Sequence, residues 1–331
     1  MYPGTPSPAP PTHTPMPPAT RPDSPLPSSD LARANAPAFE LDTRLLQRRF
    51  AGAAATLDQS AHLADEIARR MAERFDYIRH TPSSILDLGC GSGRDLQLLA
   101  QRFPGTGLHG IDFALPALQH AAKRKPVLSR LFDRARGRTQ PVQVCAALDR
   151  LPFAAGSFDL VWSNLSLQWL NDPFPAFQDL HRCLAVDGLL MFSTLGPDTL
   201  KELRAALPER RGTRVHRFID MHDIGDALVK AGFSDPVMDM EIIQLSYPDV
   251  DTLFQDLRLA GARNAARQRP RDLGGRAEWQ AARAQLEQLR TAHPDGRLMI
   301  SFEVIQGHAW KPVPRTLEDG RAIVKFTPRR P

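Results

Sequence analysis

The sequence predicts an α/β fold: a doubly wound, mostly parallel sheet of seven strands, helices on both faces, and a helical insert before the last strand. Three observations carry this. From Ser84 onward, short apolar β-forming runs alternate with segments of helical periodicity. One joint, Ile85-Leu86-Asp87-Leu88-Gly89-Cys90-Gly91-Ser92-Gly93-Arg94, reads as a buried strand, a tight glycine turn and the start of a helix. Two longer apolar runs, Val237 to Leu245 and Leu298 to Trp310, close the chain as an antiparallel edge pair.

Each element follows in order. Residues 1–37 are dominated by Pro, Ser, Thr and Ala, lack hydrophobic periodicity and lack the apolar core of a signal peptide, so a disordered tail is expected. Residues 38–80 are helical. In them Leu63, Ile67, Met71 and Phe75 recur at four-residue steps as an apolar stripe, either a lid over a ligand site or a helix packed on the core edge. Residues 81–247 form the core, with strands expected at 84–88, 107–111, 142–146, 158–163 and 188–194 and helices at 94–102, 114–124, 174–183 and 221–231. Residues 248–297 read as an insert of two helices, 249–261 and 277–290, joined by the arginine-rich run Arg263 to Arg271. That run is a solvated basic linker or, standing over the sheet's ligand end, part of an acceptor-binding lobe. Residues 298–312 supply the closing strand and 313–331 a C-terminal tail.

Composition narrows the function classes. With 331 residues, 42% hydrophobic and 24% charged, the chain has the make-up of a soluble globular protein with a sizeable core. No apolar run reaches membrane-spanning length. A net charge of +5, mostly from arginine, is too weak to claim nucleic acid and suits an acidic protein partner. Cys90, Cys145 and Cys183 are odd in number and far apart, so neither a disulfide framework nor a zinc site follows, and a reducing cytoplasm is expected.

The chemistry centres on the glycine turn. Gly89, Gly91 and Gly93 let a ligand approach the backbone, and the following helix aims free N–H groups at it. Asp112 ends a second apolar run and is placed to accept hydrogen bonds from both hydroxyls of a ribose. A dinucleotide fingerprint would require Gly or Ala where Arg94 stands. Asp87 would repel a pyrophosphate and welcome a cation. S-adenosylmethionine, with a sulfonium, an ammonium and no phosphate, fits better than a nicotinamide dinucleotide. The fourth strand should lie beside the first, so Ser163, Asn164 and Leu165 at its end would face the methyl group and the acceptor, with Gln168 and Trp169 close by. Trp169 could equally be core packing. No Ser/His/Asp nucleophile set or metal-ligand cluster is visible; His181, His222 and His308 lack partners at ligand spacing.

With these residues in view, the chain resembles the class I S-adenosylmethionine-dependent methyltransferases, with their Rossmann-like sheet. Ile85 to Gly93, Asp112 and Leu151 to Asp159 carry the general likeness. Arg48-Arg49-Phe50, Ser163 to Trp169, Phe192 to Leu203 and Phe302 to Trp310 are similar to the malonyl-acyl-carrier-protein O-methyltransferases of bacterial biotin synthesis. They also resemble a sister group, the methyltransferase-like assembly proteins of mitochondrial complex I, implicated in arginine hydroxylation. The Asn164, Gln168-Trp169 and Gly-His-Ala-Trp features lean toward the first group. A methyltransferase with another small-molecule acceptor stays open.

The resemblance implies cofactor contacts from Asp87, Gly89, Cys90, Gly91, Gly93, Asp112, Phe113 and Asn164. Ala147 stands where many members carry an Asp for the adenine amino group, so Asp149 or the backbone near Leu148 is expected to serve instead. Leu57 replaces a common Tyr and Gln306 a more usual aromatic. Acceptor positioning is expected from Asn164, Gln168, Trp169 and an arginine clamp on its carboxylate, with Arg204, Arg258 and Arg263 as candidates. The implied partner is a malonyl-loaded acyl carrier protein, met by a monomeric enzyme with no metal and no catalytic acid or base.

Overall fold

The computed structural model describes residues 39–124, 140–207, 212–271 and 275–314. The expected tails, 1–37 and most of 313–331, lie outside the described residues.

Two helices precede the sheet. α1 spans Thr43–Ala53 and is capped by Asp42, whose carboxylate accepts from the Leu45 N–H at 3.0 Å. α2 spans His62–Glu73, after a 3-10 turn at Leu57–Ser60. Of the apolar stripe, Ile67, Met71 and Phe75 are buried and Leu63 packs partly buried against the same core. This is what four-residue spacing on a helix produces: one face sees the sheet.

The core follows as β1 Ser84–Leu88, α3 Arg94–Arg102, β2 Gly107–Asp112, α4 Leu115–Arg124, β3 Val142–Cys145, β4 Phe158–Ser163, α5 Pro173–Cys183, β5 Leu184–Leu195, α6 Lys201–Ala206, α7 Met221–Lys230, β6 Ser234–Tyr247, α8 Val250–Leu259, α9 Arg276–Ala292 and β7 Leu298–Trp310. The seven strands form one sheet in the order β3-β2-β1-β4-β5-β7-β6. β1 to β5 pair in parallel; β7 runs antiparallel to both β5 and β6. β1 has β2 on one side and β4 on the other, so the strand order reverses at β1, as expected, and the crevice for a ligand opens there. The expected edge pair is present, but the last strand in sequence is not the edge. β7 is inserted between β5 and β6 and is buried along nearly its whole length, whereas β6 alternates exposed and half-buried positions. An edge strand needs only one apolar face; an inserted strand must be apolar on both.

One apolar core lies on each face of the sheet. Ile85, Leu160, Trp162, Leu189 and Met191 point to the side of α2 and α3. Leu86, Leu88, Val161, Leu190 and Phe192 point to the side of α5 and α7. The period-two alternation along β1, β4 and β5 sorts them. Trp162 is fully buried, and its indole N–H donates to Asp95 at 2.7 Å, satisfying the one polar atom it carries inside. α6 was not anticipated. It starts at Leu200, a left-handed residue at φ 58°, and Arg204 holds it by donating to the carbonyls of Pro197 at 2.8 Å, Thr199 at 3.1 Å and His216 at 3.1 Å.

Candidate active site

A cavity of about 750 Å³ opens at the carboxyl ends of β1, β2 and β4. Its floor is the glycine turn after β1. Gly89 and Cys90 both donate to the carbonyl of Ile111, at 2.8 and 3.0 Å, which fastens the turn to the end of β2. Gly89 has φ 80°, and a Cβ placed on it would stand 2.5 Å from the Ser166 Cβ. Only glycine allows both that backbone and that approach. Ser166 in turn donates to the carbonyl of Leu88 at 2.9 Å and meets the Ser163 hydroxyl at 2.6 Å, so the β4 turn is locked against the β1 turn.

Two carboxylates at this end are prearranged. Asp112 is buried and accepts from the N–H of Gly91 at 2.9 Å and of Ala114 at 2.7 Å, one on each oxygen. Those bonds hold the charged form, against burial, which raises its pKa. Asp87 is 2% exposed, and its Oδ2 meets no hydrogen-bond partner among the described residues. Burial first, then the charges of Asp95 and Asp112, push its pKa well above the ordinary 3.8. A buried, unpartnered carboxyl facing a cavity is complementary to an ammonium group. The residues therefore fit S-adenosylmethionine: Asp87 for the amino-acid ammonium, Asp112 for the ribose hydroxyls, and the turn's close backbone approach between them.

The walls come from the N-terminal helices and from β4. Asp58 accepts from the Ser92 hydroxyl at 2.6 Å. Arg94 donates to Asp65 through Nε at 2.8 Å and lies 3.7 Å from Asp58. The residue that spoils a dinucleotide fingerprint thus ties the glycine turn to the helices above it. Asn164 donates to the carbonyl of Ala64 at 2.9 Å and accepts from Ser193 at 2.7 Å. Gln168 is buried and donates to the carbonyl of Leu165 at 2.7 Å. Trp169 meets Phe50 edge to face at 5.1 Å and His216 at 5.3 Å. It lines the cavity and packs at the same time, so both readings of this residue hold.

Of the expected site residues, Asp87, Gly89, Cys90, Gly91, Asp112, Asn164, Gln168 and Trp169 line the cavity. Gly93 does not; at φ 79° it turns the chain into α3. Phe113 packs on Phe50 at 5.5 Å, behind the lining. Leu148 is buried in the core of the α5 face, and Asp149 is exposed outside the lining. Arg204, a candidate clamp, is occupied by its three carbonyls away from the cavity, so it serves the backbone of α6. Arg258 and Arg263 are exposed and stand outside the lining.

Sequence reasoning missed Phe50, Asp58, Asp95, Tyr247 and Asp256, all in the lining. Tyr247 donates to Asp256 at 2.8 Å, across the junction of β6 and α8. Only Phe50 carried a signal, through the Arg48-Arg49-Phe50 likeness. No cluster of metal-ligating side chains occurs among the described residues, and no helix among them is long and apolar enough to cross a membrane.

Comparison with known proteins agrees with this geometry. Residues 86–192 match a family model described as a methyltransferase domain. The malonyl-[acyl-carrier protein] O-methyltransferase of Laribacter hongkongensis is 48% identical over 302 residues, covering 89% of this chain and 99% of that one. The protein of the same name from Gallionella capsiferriformans is 46% identical, covering 87% and 97%. Among solved structures, the YcgJ protein of Bacillus subtilis aligns with 74% of this chain and 99% of its own at a TM-score of 0.50 and 13% identity, a likeness of fold. On the shared length and identity of these relatives, the chain belongs to the malonyl-[acyl-carrier protein] O-methyltransferase family of S-adenosylmethionine-dependent methyltransferases.

Proposed function

We propose that this protein transfers a methyl group from S-adenosylmethionine to the free carboxylate of a malonyl group carried as a thioester on acyl carrier protein, the esterification that disguises a dicarboxyl chain for biotin synthesis. The observation that carries the reading is 48% identity to a protein of that name along 99% of its length. The cavity supports it: its donor end fits the cofactor, and further lining from Phe50, Gln168, Trp169 and the start of α8 leaves an acceptor end.

When bound, the cofactor supplies an electrophilic methyl group on a sulfonium. A carboxylate is ionised near neutral pH, so no base has to remove a proton before it attacks. The carboxylate oxygen would form the new bond to carbon as the carbon–sulfur bond breaks, leaving the electron pair on sulfur. The protein's part is alignment and exclusion of water. Asp87 and Asp112 fix the donor. Asn164, pinned between Ala64 and Ser193, holds the cavity wall at the end of β4. Phe50 and Trp169 present an apolar face to the acyl chain. The exposed arginines Arg258, Arg263, Arg267 and Arg271 favour encounter with an acidic carrier, chiefly through its on-rate.

The test is transfer of labelled methyl from S-adenosylmethionine to malonyl-acyl carrier protein, with unloaded carrier and a free malonyl thioester as controls. Label on the loaded carrier supports the reading. Tight cofactor binding with no label on any of the three removes it.

A further inference from the structure

The cavity has a second polar centre, apart from the glycine turn. Tyr247, the last residue of β6, is buried, and its hydroxyl donates to Asp256 Oδ2 at 2.8 Å. Burial first, then the bond to Asp256 and its charge, raise the Tyr247 pKa, so the phenol keeps its proton and commits it to that bond. Tyr247 is the one partner of the Asp256 side chain among the described residues. Asp256 is half-buried, and its Oδ1, without a partner there, keeps accessible surface. Thr252, Gln255, Asp256 and Leu259 all line the cavity. Their spacing, i, i+3, i+4 and i+7, puts them on one face of α8.

β7 lies antiparallel to both β5 and β6, so Tyr247 ends at the same carboxyl edge of the sheet as the glycine turn. It stands four strands from β1, a lateral offset of about 19 Å at ordinary strand spacing. α8 then leans back over the mouth, where the Thr56 hydroxyl donates to the carbonyl of Leu259 at 3.1 Å. Beyond α8 the chain runs into the exposed Arg263 and Arg267. The pair thus lies across the sheet from Asp87 and Asp112, on the element that leads to the arginines proposed to meet the carrier.

Such a pair calls for a hydrogen-bond donor. An ionised carboxyl offers lone pairs and no proton, and the phenol's proton is taken. It also repels another carboxylate. A malonyl thioester brings only acceptors, its carbonyl and its carboxylate. The pantetheine arm that carries it brings two amide N–H groups and a hydroxyl. The pair complements the arm, not the acyl group.

We propose that Asp256, oriented by Tyr247, accepts a hydrogen bond from an amide N–H of the pantetheine arm that bears the acyl group. The proposal rests on the acceptor reading given above and deepens it. It makes the protein prefer pantetheine thioesters to simple alkyl thioesters of the same acid. It also sets a direction: with the arm held at Asp256, the acyl carboxylate turns away from that charge and toward the cationic donor.

The test measures labelled-methyl transfer to malonyl-pantetheine and to the propyl thioester of malonate, which has no amide. The intact protein is compared with Asp256→Ala, Asp256→Asn and Tyr247→Phe, and the affinity of each for S-adenosylmethionine is measured. In Asp256→Ala the preference for the pantetheine thioester, as the ratio of the two kcat/KM values, should shrink about 10-fold, chiefly through KM. Asp256→Asn keeps an acceptor oxygen and should recover part of the preference. Tyr247→Phe frees the carboxylate to turn and should shrink the ratio about threefold. The ratio is taken within each variant, so a less stable protein does not imitate the effect. An unchanged ratio in Asp256→Ala, whether both activities hold or both fall together, overturns the proposal. Cofactor affinity that falls in step with the ratio places Asp256 at the donor and overturns it too. If the parent methylates neither thioester, the acceptor reading falls. Ligand-observed NMR of acetyl-pantetheine with S-adenosylhomocysteine bound then decides the arm site alone: weaker binding by Asp256→Ala keeps it, and equal binding or none overturns it.

Discussion

The two ends of the cavity are built in different ways. The end proposed for the donor is floored by one contiguous stretch, Asp87 to Asp95, with Asp112 brought alongside by the neighbouring parallel strand. Its groups are fixed by short bonds to backbone: Gly91 and Ala114 to Asp112, Gly89 and Cys90 to Ile111. The end proposed for the acceptor draws on segments from Phe50, Gln168-Trp169, Leu245 to Ala262 and Phe302. They are held by aromatic edges and side-chain packing, as where Trp169 stands between Phe50 and His216. The difference teaches that a common donor demands a rigid, local cradle, while an acceptor pocket can be reshaped by exchanging peripheral elements around it.

The largest way to break the comparison is Asp87→Asn. Loss of the buried charge should weaken S-adenosylmethionine binding by about 1,000-fold, roughly 4 kcal/mol, measurable by calorimetry. It should leave the acceptor end intact. The same substitution should steady the ligand-free protein. Asp87 holds its proton in the folded state above the ordinary value of 3.8, so the folded form binds more protons than the unfolded one over that window. Stability is then highest below 3.8 and falls as pH rises through the window. A thermal-midpoint profile against pH should be flatter on the alkaline side of about 4 in Asp87→Asn than in the parent.

At the other end His216 titrates with the opposite sign. Packed against Phe39 at 4.8 Å, Trp169 at 5.3 Å and Phe218 at 4.5 Å, it has its pKa pushed down by burial to about 4. Its contribution is fully present above 6.5 and is lost as pH falls from there toward about 4. The expected size is up to about 3 kcal/mol. His216→Gln should remove this acid-side slope, and tryptophan fluorescence should report loosening around Trp169 in the parent first.

Gly89→Ala sharpens the contrast from the backbone side. The left-handed φ and the clash with Ser166 together should cost about 2 to 3 kcal/mol and reduce cofactor affinity, read by denaturant melts and calorimetry. Gly52→Ala in α1 is the smallest effect and has the opposite sign. A Cβ there meets nothing within 4 Å, so helix propensity alone should stabilise the protein by about 0.5 to 1 kcal/mol.

Much of the donor end is legible in the sequence because it is local. Gly89 and Gly91, an acid before them and an acid ending the next strand reach the same site through standard βα geometry, and Gly93 turns the chain into α3. The acid that follows them, Asp95, was not read as a site residue, because nothing in sequence says that the Trp162 indole will reach it from β4. Asp58 was missed for the same reason: its meeting with Ser92 depends on how α1 and α2 lie over the sheet. Arg204 shows the reverse. Its position after the fifth strand suggested a clamp, yet three carbonyls of an irregular turn claim its guanidinium. Phe113, Leu148 and Asp149 followed the strands in the expected order but fall behind or beside the lining, since strand register does not fix where a loop side chain ends.

What the sequence by itself determined is the alternation of strands and helices, the reversal at β1 and the glycine turn with one acid before it and another ending the next strand. Each rests on periodicity or on backbone constraints that act within a few residues. What only the tertiary structure decided is the insertion of β7 between β5 and β6, the seating of α2 and the 57–60 turn against the glycine turn through Arg94, and the packing of the chain at Gly261 on α1. Those depend on contacts between residues from about thirty to two hundred positions apart. Their side chains carry no mark of the partner until the sheet has brought them together.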